Sequence, residues 1–227
     1  MAYVEDGNLM VKILYEDNHL LVVLKPVNMP VCEDSSGDVD LLSYLKNYLK
    51  DKYNKPGNVY LGLIHRLDRP VGGIMVFAKT SKCASRLSEQ VRLKRISKKY
   101  YAVVCGSLSG SGIFNDKLLK DSRTNMVHVD SNGKDSSLEY RVISCKNNYS
   151  LVDINLITGR SHQIRVQFSS RGYPLYGDQR YNKNASIGEQ IALFSYYLSF
   201  YHPISNELME FCADIPKRKP FDLFIDI

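Results

Sequence analysis

His65-Arg66-Leu67-Asp68 breaks two apolar stretches in NVYLGLIHRLDRPVGGIMVFAKT. Three of these four side chains are polar or charged, which does not suit a buried strand, and Gly72-Gly73 just beyond permits tight backbone geometry. A carboxylate between Arg66 and Arg69 has two readings: a surface salt-bridge loop, or an acid held ready for chemistry by cationic neighbours. A second cluster is Thr158-Gly159-Arg160-Ser161-His162-Gln163-Ile164-Arg165. Gly159 allows a turn, and Ser161 is placed to cap a helix from about His162 to Arg171, with Gly172 as its stop. Ile164 and Phe168 are i,i+4 partners that pack down while Arg165 points aside. That arginine either binds solvent or phosphate at a basic helix start, or aims a guanidinium fork at a carboxylate. Tyr100 and Tyr101 open a strand, so one faces the core and the other is free to line a cleft. Just before them Arg92, Lys94, Arg95, Lys98 and Lys99 occur with no acid among them.

These groups need a scaffold. VKILYED and HLLVVLKP read as two strands joined by a turn at Asp17-Asn18, closed by Pro26 and Pro30. Asp38 or Asp40 caps a helix through about Tyr53, with Leu41, Leu42, Leu45 and Leu49 at helical spacing. Around the charged loop the pattern is strand, sharp loop, strand. Thr80 or Ser81 then caps a helix whose apolar face is Cys83 or Ala84, Leu87 and Val91. KYYAVVCG alternates as a strand, and residues 107–135, rich in Gly, Ser, Asn and Asp, read as an irregular excursion. SLEYRVISC and YSLVDINLI form a hairpin around KNN, GYPLYGD is loop-like, and IALFSYYLSFYHP is a further strand. Strands in hairpins with a few helices between them make an α+β fold: a mixed, mainly antiparallel sheet with flanking helices. Residues 1–10 read as a short tail and residues 11–227 as one catalytic domain.

Composition narrows the function. The 227 residues carry 30 Lys+Arg against 24 Asp+Glu, a net +6, compatible with a polyanionic partner but not proof of one. With 44% hydrophobic residues the chain can build a core. No apolar run approaches the ~18 residues of a membrane-spanning helix, and the N-terminus lacks a secretory pattern. Cys32, Cys83, Cys105, Cys145 and Cys212 are dispersed, as are the histidines, which points to reduced thiols in a cytoplasmic protein and to no metal site. Nucleotide-loop, dinucleotide and zinc-protease motifs are missing.

Taken together, five ordered segments resemble the RluA family of pseudouridine synthases: HLLVVLKPVNMPV, IHRLDRPVGG, KKYYAVVCG, ITGRSHQIRVQFSSRGYPLYGDQRY and LSFYHPISNE. The resemblance runs from about residue 12 to about 216. It implies the pseudouridine synthase catalytic fold and isomerisation of a uridine to pseudouridine in ribosomal or transfer RNA, with no cofactor, no metal and no membrane, by a monomer. It also implies roles. Asp68 falls on the essential aspartate. Tyr100 falls on the active-site tyrosine, since the family's Tyr-x-Ala-x-Val-x-Gly phase fits Tyr100, Ala102, Val104 and Gly106. Arg165 falls on the arginine that pairs with the aspartate, Arg66 on one that helps displace the target nucleotide, and Leu193 on an apolar pocket residue. His65, Arg160 and the basic residues Arg92, Lys94, Arg95, Lys98 and Lys99 are expected to contact RNA. Val71-Gly72 and Phe194-Ser195 depart from the family's usual residues, which bears on local packing and substrate. An N-terminal RNA-binding domain, common in the family, is not expected before residue 12. Two rival classes are a binding-only RNA module and an RNA N-glycosidase, which would release free base.

Overall fold

The two longer helices start where short polar side chains accept from the first turn. The computed structural model describes residues 2–6 and 9–225. In chain order its elements are β1 (Ala2–Asp6), β2 (Leu9–Glu16), β3 (Leu20–Lys25), α1 (Leu41–Lys52), β4 (Gly62–Leu63), β5 (Gly72–Ala78), α2 (Ser81–Arg92) and β6 (Ser97–Cys105). Then come β7 (Ser111–Lys120), β8 (Val127–Val129), β9 (Lys134–Lys146), β10 (Tyr149–Leu156), α3 (Gln163–Ser169), β11 (Leu193–Tyr201) and β12 (Leu208–Cys212). A 3-10 turn, Phe221–Phe224, follows. Asp40 caps α1 by accepting from Ser43 N (3.0 Å), and Thr80 caps α2 by accepting from Cys83 N (3.2 Å).

The chain divides into two compact units, one comprising the chain up to Ile96 with Tyr197–Ala213, the other Ser97–Tyr196 with the chain from Asp214 on. In the first, β1, β2, β3 and β5 pair in that order, β4 also pairs with β5, and the end of β11 pairs with β12, all antiparallel. Leu20, Val22, Ile74, Val76 and Ala78 form one face, which packs with Cys83 and Leu87 of α2 and with Leu198 and Phe200. The alternate residues Leu21, Val23, Met75 and Phe77 are fully buried as well. Both faces of β3 and β5 are therefore apolar, which is why these strands read as continuous hydrophobic runs. Val91, expected on the buried face of α2, is exposed: the helix's last turn runs past the strands it covers.

The residues read as a tail are in part a strand. Ala2–Asp6 pairs with Leu9–Ile13 of β2, a backbone interaction that depends on the neighbouring strand rather than on side-chain periodicity. Met1, Gly7 and Asn8 of that segment lie outside the described residues.

In the second unit the order is β6-β10-β9-β7-β8, again antiparallel throughout. The stretch 107–135 is thus not irregular. It contains β7 and β8, whose polar residues are interspersed with buried Phe114, Leu118 and Val127. Dense Gly, Ser, Asn and Asp suits turns, but here an open sheet face solvates the polar half of the strands.

A buried carboxylate ties α1 to the first unit's strands. Glu16, at the end of β2, accepts from Tyr48 OH (2.8 Å), Lys52 Nζ (2.8 Å), Tyr53 OH (2.7 Å) and Lys79 Nζ (2.9 Å). Burial pushes its carboxyl up, and these four donors outweigh that and hold it at about 2. Because the folded pKa lies below the unfolded value, Glu16 contributes stability above pH 4.5 that is lost as pH falls toward 2. Glu16→Leu is expected to cost roughly 3–5 kcal/mol in equilibrium denaturation at pH 7, as breaking a buried pair does. The variant should also show a shallower loss of stability in acid than the parent.

Candidate active site

The charged loop lies between β4 and β5, in the first unit. Leu67 is buried and anchors it, while Arg66 is exposed and Asp68 half-buried. Asp68 O accepts from Val71 N (2.9 Å), closing a turn over Arg69-Pro70. The turn is held from below by Lys25, the last residue of β3. Its ammonium is almost fully buried and donates to Pro26 O (2.9 Å), Arg69 O (3.0 Å) and Val71 O (2.9 Å). Three donors meet three carbonyls, so no buried polar hydrogen of the ammonium is left over. Burial pulls the Lys25 amine down to about 7, opposed by the charge of Asp68 and assisted by that of Arg69.

The paired glycines expected to ease this loop do so. A Cβ at Gly72 would stand 3.2 Å from both Lys25 O and Val27 Cγ1, and Gly73 has φ +138°. Arg69 turns away from the loop to Asp38 and to Asp34 (3.6 Å). His65 faces β5, where its Nε2 accepts from Val76 N (3.3 Å), which puts the proton of the neutral ring on Nδ1.

The second unit holds Lys98, Lys99, Tyr100, Arg160, Arg165 and Leu193. Tyr100 is buried on the face of β6 that also carries Ala102. Tyr101 faces the other way and stacks on Tyr196, with ring centroids 3.8 Å apart, while Tyr196 OH donates to Asp153 (2.8 Å). The phase of the strand therefore separates the two tyrosines as the motif implies. Leu193 is buried at the start of β11. Arg160 is exposed, and its Nε donates to Asp135 O (3.0 Å).

α3 departs from expectation at its start. Its cap position is His162, in the left-handed region (φ +51°), with no side-chain capping bond; Ser161 does not cap it. The Gln163 side chain instead ties the preceding turn to the helix start, its Oε1 accepting from Arg160 N (3.0 Å) and Thr158 Oγ1 (2.8 Å). Gln163 to Phe168 are all buried, so the helix has no solvent face. Each of its polar side chains must then find partners inside. Gln167 Nε2 reaches Asp116 (2.7 Å), and Arg165 makes a two-pronged pair with Asp178, Nε to Oδ2 2.9 Å and Nη2 to Oδ1 2.7 Å. The Arg165 guanidinium also lies 5.2 Å from the Tyr181 ring centre. Tyr181 OH accepts from Val127 N (2.9 Å) and hydrogen-bonds His162 Nδ1 (2.7 Å), which links β8 to the start of α3.

Four of these residues escaped the sequence reading as site residues: Lys25, Gln163, Asp178 and Tyr181. Lys25 had a signal, since it continues the buried phase Leu21, Val23, Lys25. Asp178 had none, because it sits in a segment with the composition of a loop. The basic stretch 92–99 is divided between the two units. Arg92, Lys94 and Arg95 close the C-terminal end of α2 in the first unit, where cations suit the helix dipole, and Arg92 Nε donates to Glu89 (2.7 Å). Lys98 and Lys99 lie on opposite faces of β6 in the second unit.

A charged loop clamped by a buried lysine, with an arginine–carboxylate pair on a buried helix in a strand-rich unit, marks an α+β catalytic domain of the pseudouridine synthase type. Two human solved structures share the fold. The one titled RNA pseudouridylate synthase domain containing 4 gives a TM-score of 0.76 at 23% identity, over 91% of this chain and 89% of that one. The one titled domain containing 1 gives 0.75 at 24%, over 94% and 86%. Residues 19–170 match the family described as RNA pseudouridylate synthase, and the chain belongs to that family. Among curated relatives, ribosomal large subunit pseudouridine synthase D of Zymomonas mobilis is 34% identical over 95% of this chain and 73% of its own length. Synthase C of Vibrio cholerae is 34% identical over 89% of this chain and 65% of its own length. The resemblance carried by the five motifs is thus borne out, and the chain is an RNA pseudouridine synthase, an enzyme that isomerises uridine to pseudouridine in RNA.

Two outcomes test the internal clamps. The folded pKa of Lys25 lies below its unfolded value of 10.5, so its ionisation makes stability rise with pH from about 7 to 10.5. In Lys25→Met that rise should flatten in denaturation curves taken across this range, and amide exchange of residues 69–73 should quicken as the carbonyls lose their donor. Asp178→Asn removes the charge that Arg165 meets with two prongs and is expected to cost roughly 3–5 kcal/mol of stability at pH 7.

Proposed function

We propose that this chain converts a uridine of large-subunit ribosomal RNA to pseudouridine, with Asp68, Tyr100 and Arg165 as its catalytic residues. The observation that carries the reading is the placement of Asp68: an acid on a turn whose carbonyls are clamped by a buried lysine, between two strands that are otherwise apolar. The ribosomal target is supported by the names of relatives that align over nearly all of this chain.

In this reading the target base leaves its stack at a cost of a few kcal/mol. Tyr100 offers the flipped base an aromatic face, worth roughly 1–3 kcal/mol. Asp68 acts at the sugar, as nucleophile or as the base that takes a sugar proton. Arg165, held in one orientation by Asp178, supplies the guanidinium of the site, and Leu193 part of its apolar lining. Arg66, His65, Arg160, Lys98 and Lys99 are the RNA-contacting groups, with Arg92, Lys94 and Arg95 adding charge at the end of α2. The enzyme works as a cytoplasmic monomer, without metal or cofactor.

Pseudouridine mapping of ribosomal and transfer RNA in cells with and without the gene should show a large-subunit site that vanishes in its absence. A vanished site confined to transfer RNA would redirect the substrate. Asp68→Asn is expected to abolish turnover and leave RNA affinity within about threefold of the parent. Near-parental activity in that variant would remove Asp68 from its role. Release of free uracil with abasic RNA would mark a glycosidase instead.

A further inference from the structure

Two lysines of this chain have their proton affinity lowered by burial, and they differ in one respect. Lys25 gives its three donors to three carbonyls. Lys98 gives its donors to nothing: among the described residues no carboxylate and no acceptor meets its ammonium, and burial alone pulls its proton affinity down. A desolvated cation with no acceptor costs free energy in the resting protein. The side chain is only partly exposed, so the charge has neither a protein partner nor full access to water.

Its surroundings point to what meets it. Strand phase puts Lys98 on the face of β6 that carries Tyr100, away from Lys99, Tyr101 and the Asp153 beside Tyr196. Its Nζ stands over the turn that leads into α3, 3.3 Å from where a Cβ at Gly159 would be. A glycine there leaves the ammonium room that any side chain would take. A partly exposed cation without a protein acceptor, beside an aromatic side chain on the same strand face and a bare backbone turn, suits a ligand that brings its own negative oxygen.

We propose that the Lys98 ammonium is a binding site for an anionic oxygen of the RNA substrate on the Tyr100 side of β6. The proposal rests on the reading of Tyr100 as the residue that receives the target base. Two oxygens share this chemistry. One is a phosphate oxygen next to the target nucleotide. The other is a carbonyl oxygen of the detached uracil: when C1′–N1 breaks, its electron pair stays on the base and spreads over N1 and the ring oxygens. That charge ends when C5 bonds to C1′, C5 loses its proton and N1 gains one.

The test compares the parent with Lys98→Met, Lys98→Gln and Lys98→Arg on large-subunit ribosomal RNA transcribed in vitro. RNA affinity is measured against salt, and pseudouridine formation in single turnover at saturating enzyme. Lys98→Gln is the second neutral variant should Lys98→Met fold poorly. A phosphate partner predicts about tenfold weaker binding in the neutral variants, a salt slope smaller by about one, and an unchanged saturated rate. A base-oxygen partner predicts unchanged affinity and salt slope with a saturated rate lower by about tenfold or more. In either case Lys98→Arg should recover part of the loss. Neutral variants that match the parent in affinity, salt slope and saturated rate, with or without a lower melting temperature, overturn the proposal. If the parent itself forms no pseudouridine, the functional reading fails, and the binding measurements still decide whether Lys98 meets a phosphate.

Discussion

The ammonium of Lys25 has to find acceptors inside the protein, and much of the first unit's architecture follows from that requirement. A buried charge without partners would be neutralised or expelled, so the chain wraps three carbonyls around it. Two of them, Arg69 O and Val71 O, belong to the turn that begins at Asp68. Gly72 has to be small because the Lys25 backbone passes beneath it. A polar loop inserted between buried strands would otherwise be the least determined part of the unit. The lysine turns it into a rigid shelf for one carboxylate.

The second unit solves the same problem differently. Arg165 sits on a helix buried on every side, where each polar group demands a partner. Asp178 holds the guanidinium in a plane, Gln163 ties the preceding turn to the helix start, and Tyr181 joins the helix to β8. Such networks are costly when half-made, so their completeness here fixes orientation rather than merely adding stability. Against that background Lys98 stands out, because no acceptor among the described residues meets its ammonium.

The relatives set the chemistry, and the fold is shared with solved structures of the same domain type. Isomerising a base within RNA gains from groups held in fixed positions. Asp68 stands on a turn and Arg165 on a helix, each supported by buried polar contacts, which hold geometry better than mobile loops would.

The sequence by itself determined most of the strands, the caps of α1 and α2, the phase of Tyr100 against Tyr101 and the family, because each rests on residues close together or on ordered motifs. Asp40 and Thr80 cap as short polar residues do, and Leu20 to Lys25 is the unbroken apolar run of a strand buried on both faces. Only the tertiary structure decided which polar groups are buried and what meets them. Asp178 and Arg165 lie 13 residues apart and Lys25 and Val71 46 apart, and no local pattern records such pairs. The stretch 107–135 shows the same limit from the other side: its composition favours turns, yet Ser111–Leu118 pairs with β9. Burial is a property of the folded chain, and a buried charge is defined by partners that sequence proximity does not reveal.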